Sequence, residues 1–333
     1  MSILVGDIGG TKTVLAVAGI DEGRVRLRSE RRYASGEFPS LAAIGEQFLA
    51  ETGERCDLGS FAVAGPVLGD RSKATNLPWA IDAAELAKRF GMRRARLLND
   101  LESVAWGVAA LQERDFAVLQ PGAQEGRGNA CVVAAGTGLG EAGLYWDGSR
   151  HRAFATEGGH ADFAPTDERE FALSLHLKRR FGRVSWERVV SGMGIASLYL
   201  FLVEWHGASH APDVGAALQQ GGDLAAAVST AAAAGSNPLC VEAMDLFALL
   251  YGREAGNAAL KHMALGGVYL GGGIAPKNLD LLRRGGFLRG FLDKGRMRTL
   301  MERMPVKVIL SERAPLLGAA RYVSSDRTEV RPG

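Results

Sequence analysis

Apolar and polar positions change period several times along the chain, and each change marks a predicted element. Ile3 to Asp7 is a short apolar run ended by Gly9-Gly10, and two β-rich runs follow at Val14 to Ile20 and Val25 to Tyr33. This predicts a three-stranded antiparallel opening. Leu41, Ile44, Phe48 and Leu49 then fall on one helical face. A strand at Ser60 to Ala64, a helix from Asp82 to Phe90 capped by Asp82, and a strand at Ala95 to Leu98 complete a βββαβαβα order over about the first 110 residues.

After a polar, glycine-rich break over 121–129 the pattern restarts with apolar runs at Ala130 to Ala135 and Glu141 to Trp146, separated by a glycine turn. Strand, glycine-threonine turn and strand thus occur twice, which predicts an internally duplicated fold. Asp167 to Leu265 reads as mainly helical. Strands are predicted at Val268 to Leu270 and Val306 to Leu310, with a closing helix at Pro315 to Val323.

Composition narrows the function classes. Thirty-nine basic and 37 acidic side chains give a net charge of +2, so no global field favours nucleic acid or an anionic membrane. Neither partner is expected. Leu224 to Val241 lacks charge but contains Gly235, Ser236, Asn237 and Pro238 and is a poor membrane span. Cys56, Cys131 and Cys240 show no paired spacing, and the start at Met1 has no basic, apolar leader. A cytoplasmic protein with reduced thiols is expected. The 44 glycines are about twice the usual ~7% share, and they cluster at predicted strand ends, where a backbone can approach a ligand closely.

Four clusters carry candidate chemistry. Gly6, Lys12 and Thr13 nearly satisfy a P-loop, but Thr11 stands where its second glycine belongs and the following residues read as a strand, not a helix. Two readings remain: an ordinary hairpin turn, or a turn whose amides and Thr11 hydroxyl face an anion while Asp7 holds a hydrated cation. Gly136-Thr137-Gly138-Leu139-Gly140 is a second such turn; it formally matches a dinucleotide fingerprint but lacks the helix that motif requires. Asn99-Asp100 ends a predicted strand, where open α/β sheets bind ligands, although Asp100 equally suits a helix N-cap. Glu157-Gly158-Gly159-His160 gathers polar groups able to bridge neighbouring hydroxyls, and its ligand set is incomplete for a transition metal.

Taken together, Asp7-Ile8-Gly9-Gly10-Thr11, Leu98-Asn99-Asp100, Gly136 to Gly140, Glu157 to His160, Glu187 to Gly192 and Leu270-Gly271-Gly272-Gly273-Ile274 resemble the bacterial glucokinase family. The resemblance covers nearly the whole chain. It implies two RNase H-like (actin-like ATPase) α/β domains, with mixed sheets flanked by helices and a cleft between them: a small one over 1–110 completed by a C-terminal helix at about 314–324, and a large one over 111–313. It further implies ATP-dependent phosphorylation of glucose at the 6-hydroxyl, with Mg²⁺ as cofactor and a homodimer as the assembly. Asn76, Asn99, Asp100, Glu157, His160 and Glu187 would bind the sugar, with Asp100 as general base. Gly6, Asp7, Ile8, Gly9, Gly10 and Thr11, then Thr137 and Gly138, would face the phosphates, Gly271, Gly272 and Gly273 the adenosine, and Asp7 the metal. Lys12 and Ala135 depart from the family pattern, where Asn and Pro are common, and both lie on the ATP side. The related repressor and kinase family carries a cysteine-rich zinc motif after E-x-G-H; here the next cysteine is Cys240, so that family is the poorer match. The alternatives are a kinase for another hexose or amino sugar, or a sugar- or ATP-binding regulator without turnover.

Overall fold

The apolar run 3–8 forms the central strand of a sheet covered on both faces. The computed structural model describes residues 1–22, 24–73, 77–123, 127–210 and 212–325. β1 (Ser2–Ile8), β2 (Lys12–Asp21), β3 (Arg24–Ala34), α1 (Leu41–Thr52) and β4 (Leu58–Val63) come first; then the short β5 (Val67–Leu68), β6 (Arg71–Lys73) and β7 (Ala80–Asp82), and α2 (Ala83–Arg89), β8 (Arg94–Asn99) and α3 (Asp100–Val108). The five-stranded sheet runs β3-β2-β1-β4-β8. Strand alternation sends Leu4, Ile8 and Val63 to one face with Phe48 and Phe61, and Ile3, Val5 and Leu98 to the other. Two-sided burial explains why β1 and β4 read as continuous apolar runs.

Helix ends follow local chemistry. Ser40 caps α1 by accepting from the Ala43 amide, and Gly53, at φ 66°, ends it in the left-handed region. Asp82 caps α2 by accepting from the Ala84 and Glu85 amides, as its sequence position predicts. The closing helix, Ala314–Ser325, packs on α3 because Gly107 and Gly318 carry no Cβ: a methyl at either would strike the facing backbone, at Ala314 and Ser103 respectively.

The second half of the chain repeats the first. β9 (Phe116–Gln120), β10 (Ala130–Ala135), β11 (Leu139–Trp146) and β12 (His151–Thr156) precede helices α4 (Glu168–Phe181), α5 (Gly192–His206), α6 (Pro212–Gln219), α7 (Leu224–Ala233) and α8 (Pro238–His262). Then come β13 (Gly267–Gly271), α9 (Ile274–Lys277), α10 (Leu279–Arg283), α11 (Gly286–Leu292), α12 (Arg298–Glu302), β14 (Val306–Ile309) and α13 (Ala314–Ser325). A six-stranded sheet runs β12-β11-β10-β13-β14-β9. Its first five strands retrace the path of the other sheet, with β10, β13 and β14 parallel as β1, β4 and β8 are. β9 is an antiparallel addition on β14.

Two compact units result. One comprises 1–115, 143–155 and the segment from Ser311 on; the other comprises 116–142 and 156–310. α8 forms the spine of the second core, with Phe247, Leu250 and Tyr251 fully buried, and the Tyr251 hydroxyl donates to the Val133 carbonyl at 2.9 Å. Among the described residues no single helix is long and apolar enough to cross a membrane; α7 and α8 pass that test only as a pair bent by 103°. Cys56, Cys131 and Cys240 are free and buried.

Candidate active site

In the first unit three parallel strands end side by side. Ile8 on β1 pairs in register with Val63 on β4, and Val63 with Asn99 on β8. This places the Gly9-Gly10-Thr11 turn and the Asn99-Asp100 dipeptide on one sheet edge, the carboxyl end at which open α/β sheets bind ligands.

The turn is held from behind. Its Gly9 amide donates to the Lys12 carbonyl at 3.0 Å, and the Thr11 carbonyl accepts from the Ser35 amide at 3.0 Å. The Ser35 hydroxyl donates to the Gly9 carbonyl at 2.8 Å and lies 3.0 Å from the Thr13 hydroxyl. The ladder of β1 and β2 stops at Ile8 and Thr13, so the amides of Gly10 and Thr11 lie beyond it, at a tip where Thr11 is exposed. Asp7 lies partly buried behind this turn. Burial pushes its carboxyl above the usual carboxylate range, and the nearby Lys12 ammonium pulls it back.

Asn99, rather than Asp100, is the N-cap of α3. Its backbone is extended (φ −65°, ψ 148°), and its side-chain oxygen accepts from the Leu101 and Glu102 amides at 2.9 and 3.2 Å. Its side-chain amide donates to the Gly65 carbonyl at 3.2 Å, which ties the cap to the loop after β4. Asp100 is the first helical residue, and its carboxylate also accepts from the Leu101 amide, at 2.9 Å. The positive end of the helix dipole lies at this position. Asn76 lies outside the described residues.

In the second unit the same edge recurs. Ala134 on β10 pairs with Gly271 on β13, so the Gly136-Thr137-Gly138 turn and the Gly271-Gly272-Gly273 turn are neighbours. Gly272 has φ 77°, and a Cβ there would strike the Ala135 carbonyl, which accounts for glycine at that position. The Gly136 amide donates to the Gly138 carbonyl at 2.8 Å, and the Gly136 carbonyl accepts from the Gly192 amide at 2.8 Å. Thr137 is exposed at the tip, as Thr11 is in the other turn. α9 follows Gly273 directly, and its end, with Asn278 and Arg284, lines a cavity of about 360 Å³ that also touches Ser229 and Met244. Those side chains carry no motif, and only Asn278 and Arg284 have a sequence signal at all, their place shortly after Gly271 to Gly273.

Glu187 sits in a single 3-10 turn, Trp186–Arg188. Its carboxylate accepts from the Leu139 amide at 3.1 Å and covers Gly138 closely enough that a Cβ there would strike it. Ser191 fixes the turn by donating to the Glu187 carbonyl at 2.6 Å while its hydroxyl caps α5 at the Gly194 amide. The Gly158–His160 turn is brought alongside by a short pairing: the Trp186 amide donates to the Ala161 carbonyl and the Phe163 amide to the Val184 carbonyl, at 2.9 and 3.0 Å. Glu157 and His160 are exposed, with His160 Nε2 4.0 Å from Glu157 Oε2. Glu157, His160 and Glu187 therefore share one part of this unit.

No group of three or more metal-ligating side chains occurs among the described residues. His206 is paired with Glu242 at 3.0 Å. Asp7, a desolvated carboxylate behind a turn whose Gly10 and Thr11 amides lie beyond the strand ladder, would suit a cation that takes oxygen ligands, as Mg²⁺ does.

A glucokinase from Nostoc sp. is 41% identical to the chain over 96% of it and 97% of that protein. Among solved structures, a glucokinase from an Antarctic psychrotroph superposes with a TM-score of 0.85 at 29% identity, covering 97% of this chain and 99% of that one. A ROK family glucokinase from Streptomyces griseus, in complex with glucose and AMPPNP, shares the fold at a TM-score of 0.64 and 22% identity, over 97% and 99% of the two chains. The fold is that of a sugar kinase of the actin-like ATPase class. The glucokinase family model matches residues 4–326. The chain belongs to the glucokinase family and is a sugar-phosphorylating enzyme.

Proposed function

We propose that the enzyme transfers the γ-phosphoryl group of ATP to the 6-hydroxyl of glucose, with Asp100 as general base. The observation that carries this reading is the register Ile8, Val63, Asn99, which sets a carboxylate at a helix start on the same sheet edge as the Gly9-Gly10-Thr11 turn. Phosphoryl transfer asks for positioning and charge stabilisation rather than covalent chemistry. Gly10 and Thr11, carried at the end of the Gly6 to Gly9 segment, and the turn at Thr137 and Gly138 supply amides for the phosphates. Gly271 to Gly273 and the adjoining 360 Å³ cavity take the adenosine end. Asp7 would hold Mg²⁺, directly or through water, and the bound ion would supply neutralisation of phosphate charge.

On the sugar side Asn76, Asn99, Asp100, Glu157, His160 and Glu187 hold the hydroxyls. As the 6-oxygen attacks phosphorus in line, its proton passes to the Asp100 carboxylate, an effect worth ~10²–10⁴ in rate. The glucose and AMPPNP bound to the S. griseus enzyme support both substrates. ADP release measured with and without glucose, and with other hexoses and amino sugars, tests the proposal. Glucose-dependent release supports it; release indifferent to sugar, or strongest with another sugar, overturns it.

A further inference from the structure

Beneath Gly158 of the 157–160 loop lies one buried carboxyl group, and a second faces it from a neighbouring helix; neither has a role in the chemistry above. Glu141 on β11 and Glu254 on α8 are 4% and 0% exposed. One oxygen of each, Oε1, accepts no hydrogen bond from another group, which leaves it able to share a proton with the facing carboxyl group. The Glu254 Oε2 accepts from the Asn257 side-chain amide at 2.9 Å. The loop rests on Glu141: a Cβ at Gly158 would strike the Glu141 carboxylate. Thr156 reinforces this, donating to the Glu141 carbonyl at 3.0 Å and accepting from the Gly158 amide at 3.4 Å.

We propose that the Glu141 and Glu254 pair is a positioning element for the sugar loop. One proton held between the carboxyl groups keeps Gly158 seated on Glu141; its loss to solvent sets two like charges in a closed space and displaces the loop that carries Glu157 and His160. The assignment takes from the proposed function only that this loop faces the sugar.

Burial, and then the charge of Glu141, pushes the Glu254 carboxyl up to about 8, while burial also raises Glu141. Lys261 on the same helix lowers both, and the half-buried Lys294 also faces Glu254. Cys131 on β10 faces both carboxyl groups and Tyr251 on α8 faces Glu141, but burial raises both, so they stay neutral through this range.

The test is the glucose KM and kcat of wild type and Glu254→Gln from pH 7 to 9, with amide hydrogen exchange of residues 156–161, corrected for intrinsic rate, on the same samples. Loss of the seated state raises the wild-type KM about tenfold by pH 9, as expected when about a tenth of the protein remains competent. The kcat changes little, and exchange at the loop quickens. The side-chain amide introduced by Glu254→Gln keeps a donor and cannot ionise, so the variant shows flat KM and flat exchange. Parallel pH profiles in the two proteins overturn the proposal. If Glu254→Gln does not fold, Glu141→Gln takes its place, and wild-type loop protection unchanged between pH 7 and 9 overturns the proposal without any variant. Absence of glucose turnover at every pH would instead sink the substrate assignment, while the exchange data would still decide the pair.

Discussion

The Glu187 carboxylate accepts from the Leu139 amide at 3.1 Å and lies over Gly138. A residue proposed to hold the sugar is thereby the lid of a turn proposed to hold a phosphate. Anything that moves one moves the other. Gly138→Ala puts a methyl against that carboxylate, and overpacking of this kind costs ~1–3 kcal/mol. The expected outcome is a lower melting temperature with higher KM values for both substrates together, measured by thermal unfolding and steady-state kinetics; a change in one KM alone contradicts the linkage.

Glu187→Gln preserves size but weakens a charge-assisted bond. Hydrogen bonds to charged groups contribute ~1.5–3 kcal/mol, so a loss of about ten- to hundredfold in kcat/KM for glucose is expected. Binding of glucose alone, followed by calorimetry, should weaken in step.

Asn99 has two duties, as cap of α3 and as donor to the Gly65 carbonyl. Asn99→Ala should lower stability by ~0.5–2 kcal/mol in urea unfolding and raise the glucose KM. Asn99→Asp retains the cap acceptor, so it should recover most of the stability but little of the affinity.

The buried pair also predicts how stability varies with pH. The folded state holds a proton on Glu254 that the unfolded chain sheds in the ordinary carboxylate range, so its contribution is fully present at acid pH. It declines as pH rises from that range to about 8 and is level above it. Chemical unfolding of wild type and Glu254→Gln across pH 5 to 9 should show the wild type losing stability relative to the variant as pH rises; a constant difference contradicts the shift.

Much of the scaffold was legible because its information is local. β1 and β10 are apolar runs closed by glycine turns, and their repetition in sequence became the repeated strand path of the two sheets. β12 was not legible: its His151, Arg152 and Thr156 give no alternation, and it forms as the outer strand beyond β11. β5 to β7, at two or three residues each, are too short to carry a period. The Asn99-Asp100 step had two acceptable caps in sequence, and only the extended backbone at Asn99 decides between them. Ser35 reaches the first turn because β3 returns beside β2, a tertiary fact without a local signal. Glu254 did leave a trace, as an acid within the long, largely apolar stretch of α8, but its partner Glu141 lies on β11, far away in sequence.

The proposed base is the centre of the account, and Asp100→Asn tests it most directly. Calorimetric glucose binding should remain measurable in the variant while kcat for glucose-dependent ADP release falls by ~10²–10⁴. Near-normal turnover with glucose bound as in wild type would contradict the assignment.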